Sequence, residues 1–169
     1  FNRGDGVDAV TAAGEPGDTV SLGGGIGYAD LSLSKQGSDL LLNTGAGERI
    51  VLKDWYAAAP QHSVANLQVI AEAMAGFDAT SADPLLNRKV ERFDFSVIAT
   101  AFDQMLAADP ALSAWSLASK LLDAHLGGSD SEALGGDLAY QYGVNGSLAG
   151  IGVGAVQDVL SSAQFAVQP

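Results

Sequence analysis

Leucines alternate with serines at Leu31-Ser32-Leu33-Ser34 and then run together at Leu40-Leu41-Leu42. Between them lies Lys35-Gln36-Gly37-Ser38-Asp39, rich in turn formers, so the pattern predicts a β-hairpin. Thr44-Gly45-Ala46-Gly47 turns the chain into a further strand at Arg49-Ile50-Val51-Leu52-Lys53, which ends at the aromatic pair Trp55-Tyr56. Past Pro60, the stretch 62–70 supplies a last strand with Val64, Leu67, Val69 and Ile70 as its apolar set. Short strands joined by Gly/Asp turns predict an antiparallel meander.

Further along, the apolar period lengthens. Phe95, Ile98, Phe102, Met105 and Leu106 fall on one helical stripe, with Asp94 as N-cap and Pro110 closing the run. Ser113 is expected to cap a second helix that carries Leu117, Leu121 and Leu122 and stops at Gly127-Gly128. A third and a fourth helix are expected over 131–142 and 147–160. Gly146, Gly150 and Gly154 recur every four residues and predict a smooth helix-packing face. They do not make a phosphate loop, because the spacing differs and no strand precedes them. The turn-rich stretch 77–87 separates the two patterns. The expected organisation is α+β: a β-rich module at 1–76, a linker at 77–87, and a small helical bundle at 88–169.

Composition agrees with a folded chain. In 169 residues, 47% are hydrophobic and 17% charged, enough apolar material to bury a core without cross-links. Acidic residues number 20 against 8 Lys and Arg, a formal charge of −12. Phosphate backbones and anionic membrane surfaces repel such a chain, which argues against nucleic-acid partners and favours cations, calcium above all. The absence of cysteine excludes disulfides and thiolate metal sites. The most apolar long stretch, 144–160, is broken by Asn145, Gln157, Asp158 and several glycines, so no transmembrane segment is expected. Phe1 is not a start methionine and no signal peptide follows it, which suggests a piece of something longer.

Catalytic motifs do not stand out. His62 and His125 fall on opposite sides of the expected linker, and no GxSxG, HExxH or P-loop sequence occurs. His125 is expected at a helix terminus. An enzyme would need a pocket gathering one of these histidines with carboxylates, and a non-catalytic chain is expected.

The opening FNRGDGVDAV carries more. Arg3-Gly4-Asp5 spells an adhesion tripeptide, yet residues 3–11 also fit the nine-residue calcium-roll frame GGxGxDxUx at every position but the first, where Arg3 replaces glycine. In that frame Asp8 is the calcium-binding aspartate and Val10 the residue pointing into the roll. Calcium needs several oxygen ligands, so Asp5 and Asp8 are candidate metal ligands of half a site that a neighbouring turn must complete. A second glycine cluster ending at Asp30 places its aspartate one residue late and is expected to be a turn entering the next strand.

With DTVSLGGGIGYADLSLSKQGSDLLLNTGAGERIVLKDWY added, residues 1 to about 70 resemble the module that follows calcium-repeat blocks in RTX proteins, the haemolysin-type calcium-binding-related family. The shared pattern is a phenylalanine before an RGDG-like turn, an aspartate-led strand, a "GI..DL.L...G.DL.L" hairpin and a "D.I.L..WY" strand. Glu48 departs from it, standing where an aspartate is common. Residues 90 to 165 are similar, less specifically, to the helical tails of some large RTX proteins.

The resemblance implies bacterial type I secretion to the exterior or the cell surface, directed by an uncleaved C-terminal signal. Its implied partners are upstream calcium repeats of the same chain and the secretion machinery. Ca²⁺ would serve the full-length protein and bind weakly or not at all to this stretch alone. The implied function is non-catalytic capping, folding and export of a larger protein. The alternative is an adhesive or oligomerising module, with homo-oligomers a possible outcome.

Overall fold

The computed structural model describes residues 1–11, 16–60, 62–131 and 133–149. Nine strands and three α-helices among them form two sheets and one apolar core, an α+β fold.

The expected hairpin forms. β3 (Ser32–Gln36) and β4 (Asp39–Gly45) pair antiparallel, with Leu33 opposite Leu42. β5 (Glu48–Leu52) returns antiparallel along β4, placing Leu40, Leu42, Ile50 and Leu52 in the core. The meander stops there. β6 (Val64–Val69) crosses to the second sheet, where it lies parallel to β2 (Asp18–Leu22). In the first sheet β5 lies parallel to β1 (Val7–Val10), with Asp8 opposite Ile50. The chain therefore runs twice from the first sheet to the second in the same sense, as β1 then β2 and again as β5 then β6.

The C-terminal half departs from a helical bundle. It supplies β7 (Val90–Asp94), which pairs antiparallel with β6, and β9 (His125–Ser129), which pairs with β7. β8 (Trp115–Ser116) adds to the outer side of β3, giving sheet orders β1-β5-β4-β3-β8 and β2-β6-β7-β9. The expected linker 77–87 thus joins two paired strands of one sheet. The core runs across it, from Val20, Leu33 and Leu67 to Phe93, Phe102 and Leu121.

α1 (Phe95–Ala108) follows the predicted stripe: Phe95, Ile98 and Phe102 are buried, and the Asp94 side chain accepts the Val97 N–H as N-cap. Met105, at the end of the stripe, is exposed. The second helix expected after Ser113 shrinks to a 3₁₀ turn at Leu117–Ser119 and one turn of α-helix, α2 (Leu121–Ala124). Gly127 and Gly128 do not stop it; they belong to β9. Gly127 has φ +114 beside the register shift between Arg92 and Phe93, and a Cβ on Gly128 would strike the Glu91 carboxylate and the Arg88 side chain. Glycine pairs that end helices also suit a bulged strand packed on a buried acid.

α3 (Gly136–Asn145) starts later than expected and ends at Gly146, whose φ of +65 makes it a left-handed C-cap. Among the described residues nothing lies within 4 Å of a Cβ placed on Gly146, which serves there as a helix terminator. Gly150 and Gly154, and the expected fourth helix from 150 onward, lie outside the described residues. Among the described residues no helix is long and apolar enough to cross a membrane.

Candidate functional site

The opening stretch forms a turn held from three sides. Gly4 and Gly6 have φ of +99 and +86, the left-handed region that the frame's glycines supply without strain. Asp5 closes the turn: its Oδ2 accepts the Asn2 N–H at 2.7 Å, and its own N–H donates to the Asn2 carbonyl. The Gly4 N–H donates to Glu48 Oε1 at 2.8 Å, tying the turn to the start of β5.

Arg3 lies down against the protein. Its Nη2 pairs with Asp30 Oδ2 at 2.7 Å and its Nη1 with Glu48 Oε2 at 3.3 Å; Nε and Nη1 also donate to the carbonyls of Gly25 and Thr44. With 28% of its side chain exposed and its donors facing inward, Arg3 is not presented on a protruding loop, so the tripeptide lacks the geometry an adhesive ligand needs.

The third side is α3. Asn2 Nδ2 donates to the Tyr142 carbonyl at 2.8 Å, the Tyr142 hydroxyl donates to Asp5 Oδ1 at 3.0 Å, and the Gly24 N–H donates to the Gly143 carbonyl at 2.6 Å. The Asp5 carboxylate holds the Tyr142 phenol proton and raises its pKa.

Beyond the turn, β1 has one inward and one outward face. Val10 packs against the core as the inward residue, while Val7 and Ala9 are exposed on the other face. The carbonyls of Gly6 and Val10 accept N–H groups of Arg49 and Lys53. Because backbone groups alternate sides along a strand, those of Val7 and Ala9 point to the outer edge. β1 is the last strand of its sheet among the described residues. On the other sheet, the Phe1 amino group donates to Ser21 O at 2.7 Å and the Phe1 carbonyl accepts the Gly23 N–H at 2.8 Å. That two-bond exchange is one rung of a parallel ladder on the outer side of β2.

Comparison with protein-family models, curated proteins and solved structures found no match.

The two candidate calcium ligands stand differently. Both oxygens of Asp5 already accept protein hydrogens, whereas Asp8 sits half-buried on β1 opposite Ile50. Among the described residues, no three acidic or histidine side chains are grouped to hold a metal ion.

The histidines are not brought together. The His62 ring stacks on Trp55 with centroids 4.2 Å apart and reaches the Trp55 carbonyl at 2.8 Å. His125 stands at a helix terminus as expected, as the C-cap of the short α2, and also opens β9; its Nε2 lies 2.7 Å from Oε2 of the fully buried Glu91. Burial pushes the Glu91 carboxyl up, while His125 and Arg88 pull it partly back.

Asp30, Glu48 and Tyr142 are the residues of the site that pattern reading missed. The sequence places Asp30 in a turn and marks Glu48 only as a departure from the family pattern. The only available signal was that each departs from a pattern, Asp30 by one residue and Glu48 by one methylene.

Proposed function

We propose that this chain is a non-catalytic capping and folding module of a larger secreted calcium-repeat protein. The observation that carries the reading is the parallel stacking of β1 on β5 and of β2 on β6. It leaves the outer edge of β1 ready to receive the next strand of a roll, and the Phe1 rung already continues the ladder beside β2. An open strand edge is a template for pairing, and a folded module offering one at the end of a repeat array removes the nucleation cost of the first coil. On this reading the opposite sides of the sheets, where β8 and β9 pair antiparallel with their neighbours, end the roll. Calcium belongs to the upstream repeats, whose acidic turns stay open until it neutralises them outside the cell. The export signal is assigned to 147–169, most of which lies outside the described residues.

The test joins three tandem GGxGxDxUx repeats ahead of Phe1 and follows β-structure by circular dichroism during a calcium titration. The repeats should fold cooperatively, at a calcium concentration about tenfold lower than without the module. Ala9→Pro should abolish that advantage, because it removes an edge N–H without touching the β5 ladder. An equal calcium midpoint with and without the module would sink the reading. So would full templating by an Ala9→Pro module whose own spectrum is native.

An oligomerising module is the second reading, favoured by Leu122 on α2 and Leu126 on β9, 61% and 54% exposed. Sedimentation equilibrium separates it: a dimer lost on Leu126→Lys supports it, and a monomer removes it.

A further inference from the structure

We infer that the Arg3 guanidinium is the resident cation of the opening turn, taking the converging oxygens that a bound divalent ion would otherwise have to neutralise. The inference deepens the capping reading, but its evidence is local. Four oxygens converge on one guanidinium: carboxylates of Asp30 and Glu48 and carbonyls of Gly25 and Thr44. Mixed carboxylate and backbone-carbonyl oxygens are the donor set that a hard cation such as calcium takes. They come from three separate segments, the Gly24–Asp30 turn, the end of β4 and the start of β5, as ligands completed by neighbouring turns would.

The surroundings are shaped for this side chain. A Cβ on Gly25 would stand 2.6 Å from Arg3 Cβ, and one on Gly45 would stand 3.1 Å from Arg3 Nη1 and 3.0 Å from Asp30 Oδ1. Both glycines have positive φ, +80 and +87, so backbone shape and space are set together. Arg3 also occupies the one position at which the frame lacks its glycine. Removing that glycine and supplying a cation are thus the same substitution.

The choice of arginine has a physical consequence. A guanidinium stays charged at any physiological pH and satisfies several acceptors with a planar fork, whereas a bound calcium ion leaves when its free concentration falls. In a chain with 20 acidic residues and 8 basic ones, two converging carboxylates without a counter-ion would repel each other and open the turn. An internal cation lets this turn close in calcium-free surroundings, before any calcium-dependent repeat has folded.

The experiment uses the chain alone, with no repeats attached, so its outcome is independent of the templating test. Thermal unfolding of the wild type should coincide in chelator and in millimolar calcium. Arg3→Gly, which restores the frame's glycine, should unfold roughly 5 °C lower in chelator and regain most of that loss with calcium but not with sodium of equal ionic strength. Arg3→Lys keeps a permanent charge and should remain indifferent to calcium. The double variant Arg3→Gly with Asp30→Asn should lose the calcium response. Should Arg3→Gly be unfolded in chelator, recovery of strand signal on adding calcium supports the inference, and failure to recover overturns it. A folded Arg3→Gly chain with identical midpoints in chelator and calcium overturns it as well. A wild type that melts lower in chelator would show that Arg3 does not serve as the cation.

Discussion

Gly23 sets how closely α3 approaches the opening turn. A Cβ there would strike the Asn2 side-chain oxygen and the Gly143 backbone, so no rotamer change relieves the contact. Gly23→Ala should cost about 2 kcal/mol of stability, as overpacking against fixed backbone does, measurable by urea denaturation. It should also free α3 to early proteolysis; unchanged protection of α3 would mean that the contact is not what docks it. Glu91 makes a different prediction. Burial raises its folded-state pKa, so the folded state holds a proton that the unfolded chain releases. That contribution is present in full below the ordinary glutamate range and is lost as pH rises through the raised value. Glu91→Gln keeps a polar partner near the His125 ring but cannot ionise. The variant should therefore gain on the wild type as pH climbs out of the glutamate range, and urea midpoints across that interval check it. A gap between the two that does not move with pH would contradict the assignment.

At the scale of elements, what was legible follows from how much each one depends on its own sequence. α1 could be read because fourteen residues carry a one-sided stripe, a capping aspartate and a closing proline. Asp94→Ala should cost about 1 kcal/mol by urea denaturation, since the Val97 N–H loses its acceptor; no change would mean that water replaces the cap freely. The β3–β4 hairpin could be read for the same local reasons. β9 could not, because its residues are fixed by neighbours: Gly128 by the Glu91 carboxylate, His125 by the same carboxylate and the Phe93 ring. Leu117, Leu121 and Leu122 have helical spacing, yet only the first two are buried; Leu122 faces outward, so the stripe is too short to hold a long helix. The parallel pairings of β1 and β2 join residues about forty positions apart, and strand patterning carries no information about such partners. At the turn, the glycine frame was visible in the sequence, while the closure of Arg3 on Asp30 and Glu48 required the fold.

For the whole molecule, the decisive fact is that one core crosses the stretch expected to be a linker. β6 has β2 on one side and β7 on the other, and Trp55 from the N-terminal side meets Phe95 edge-on at 5.7 Å. Trp115, from the C-terminal side, stacks on Phe102 at 6.3 Å while its strand extends the N-terminal sheet through β3. Neither half can bury its apolar face alone: residues 1–76 would expose Leu67 and Val69 once β7 and α1 were gone. Two halves sharing strands and core should unfold as one cooperative unit. The two tryptophans report on this separately, because Trp55→Phe leaves only Trp115 fluorescent and Trp115→Phe leaves only Trp55. In each variant the fluorescence transition should coincide with the loss of far-ultraviolet dichroism. Two resolved transitions, with Trp55 and Trp115 following different ones, would restore the boundary at 77–87. A single transition makes the two halves indivisible, so the outer edge of β1 is held in place by strands and helices more than eighty residues further along the chain.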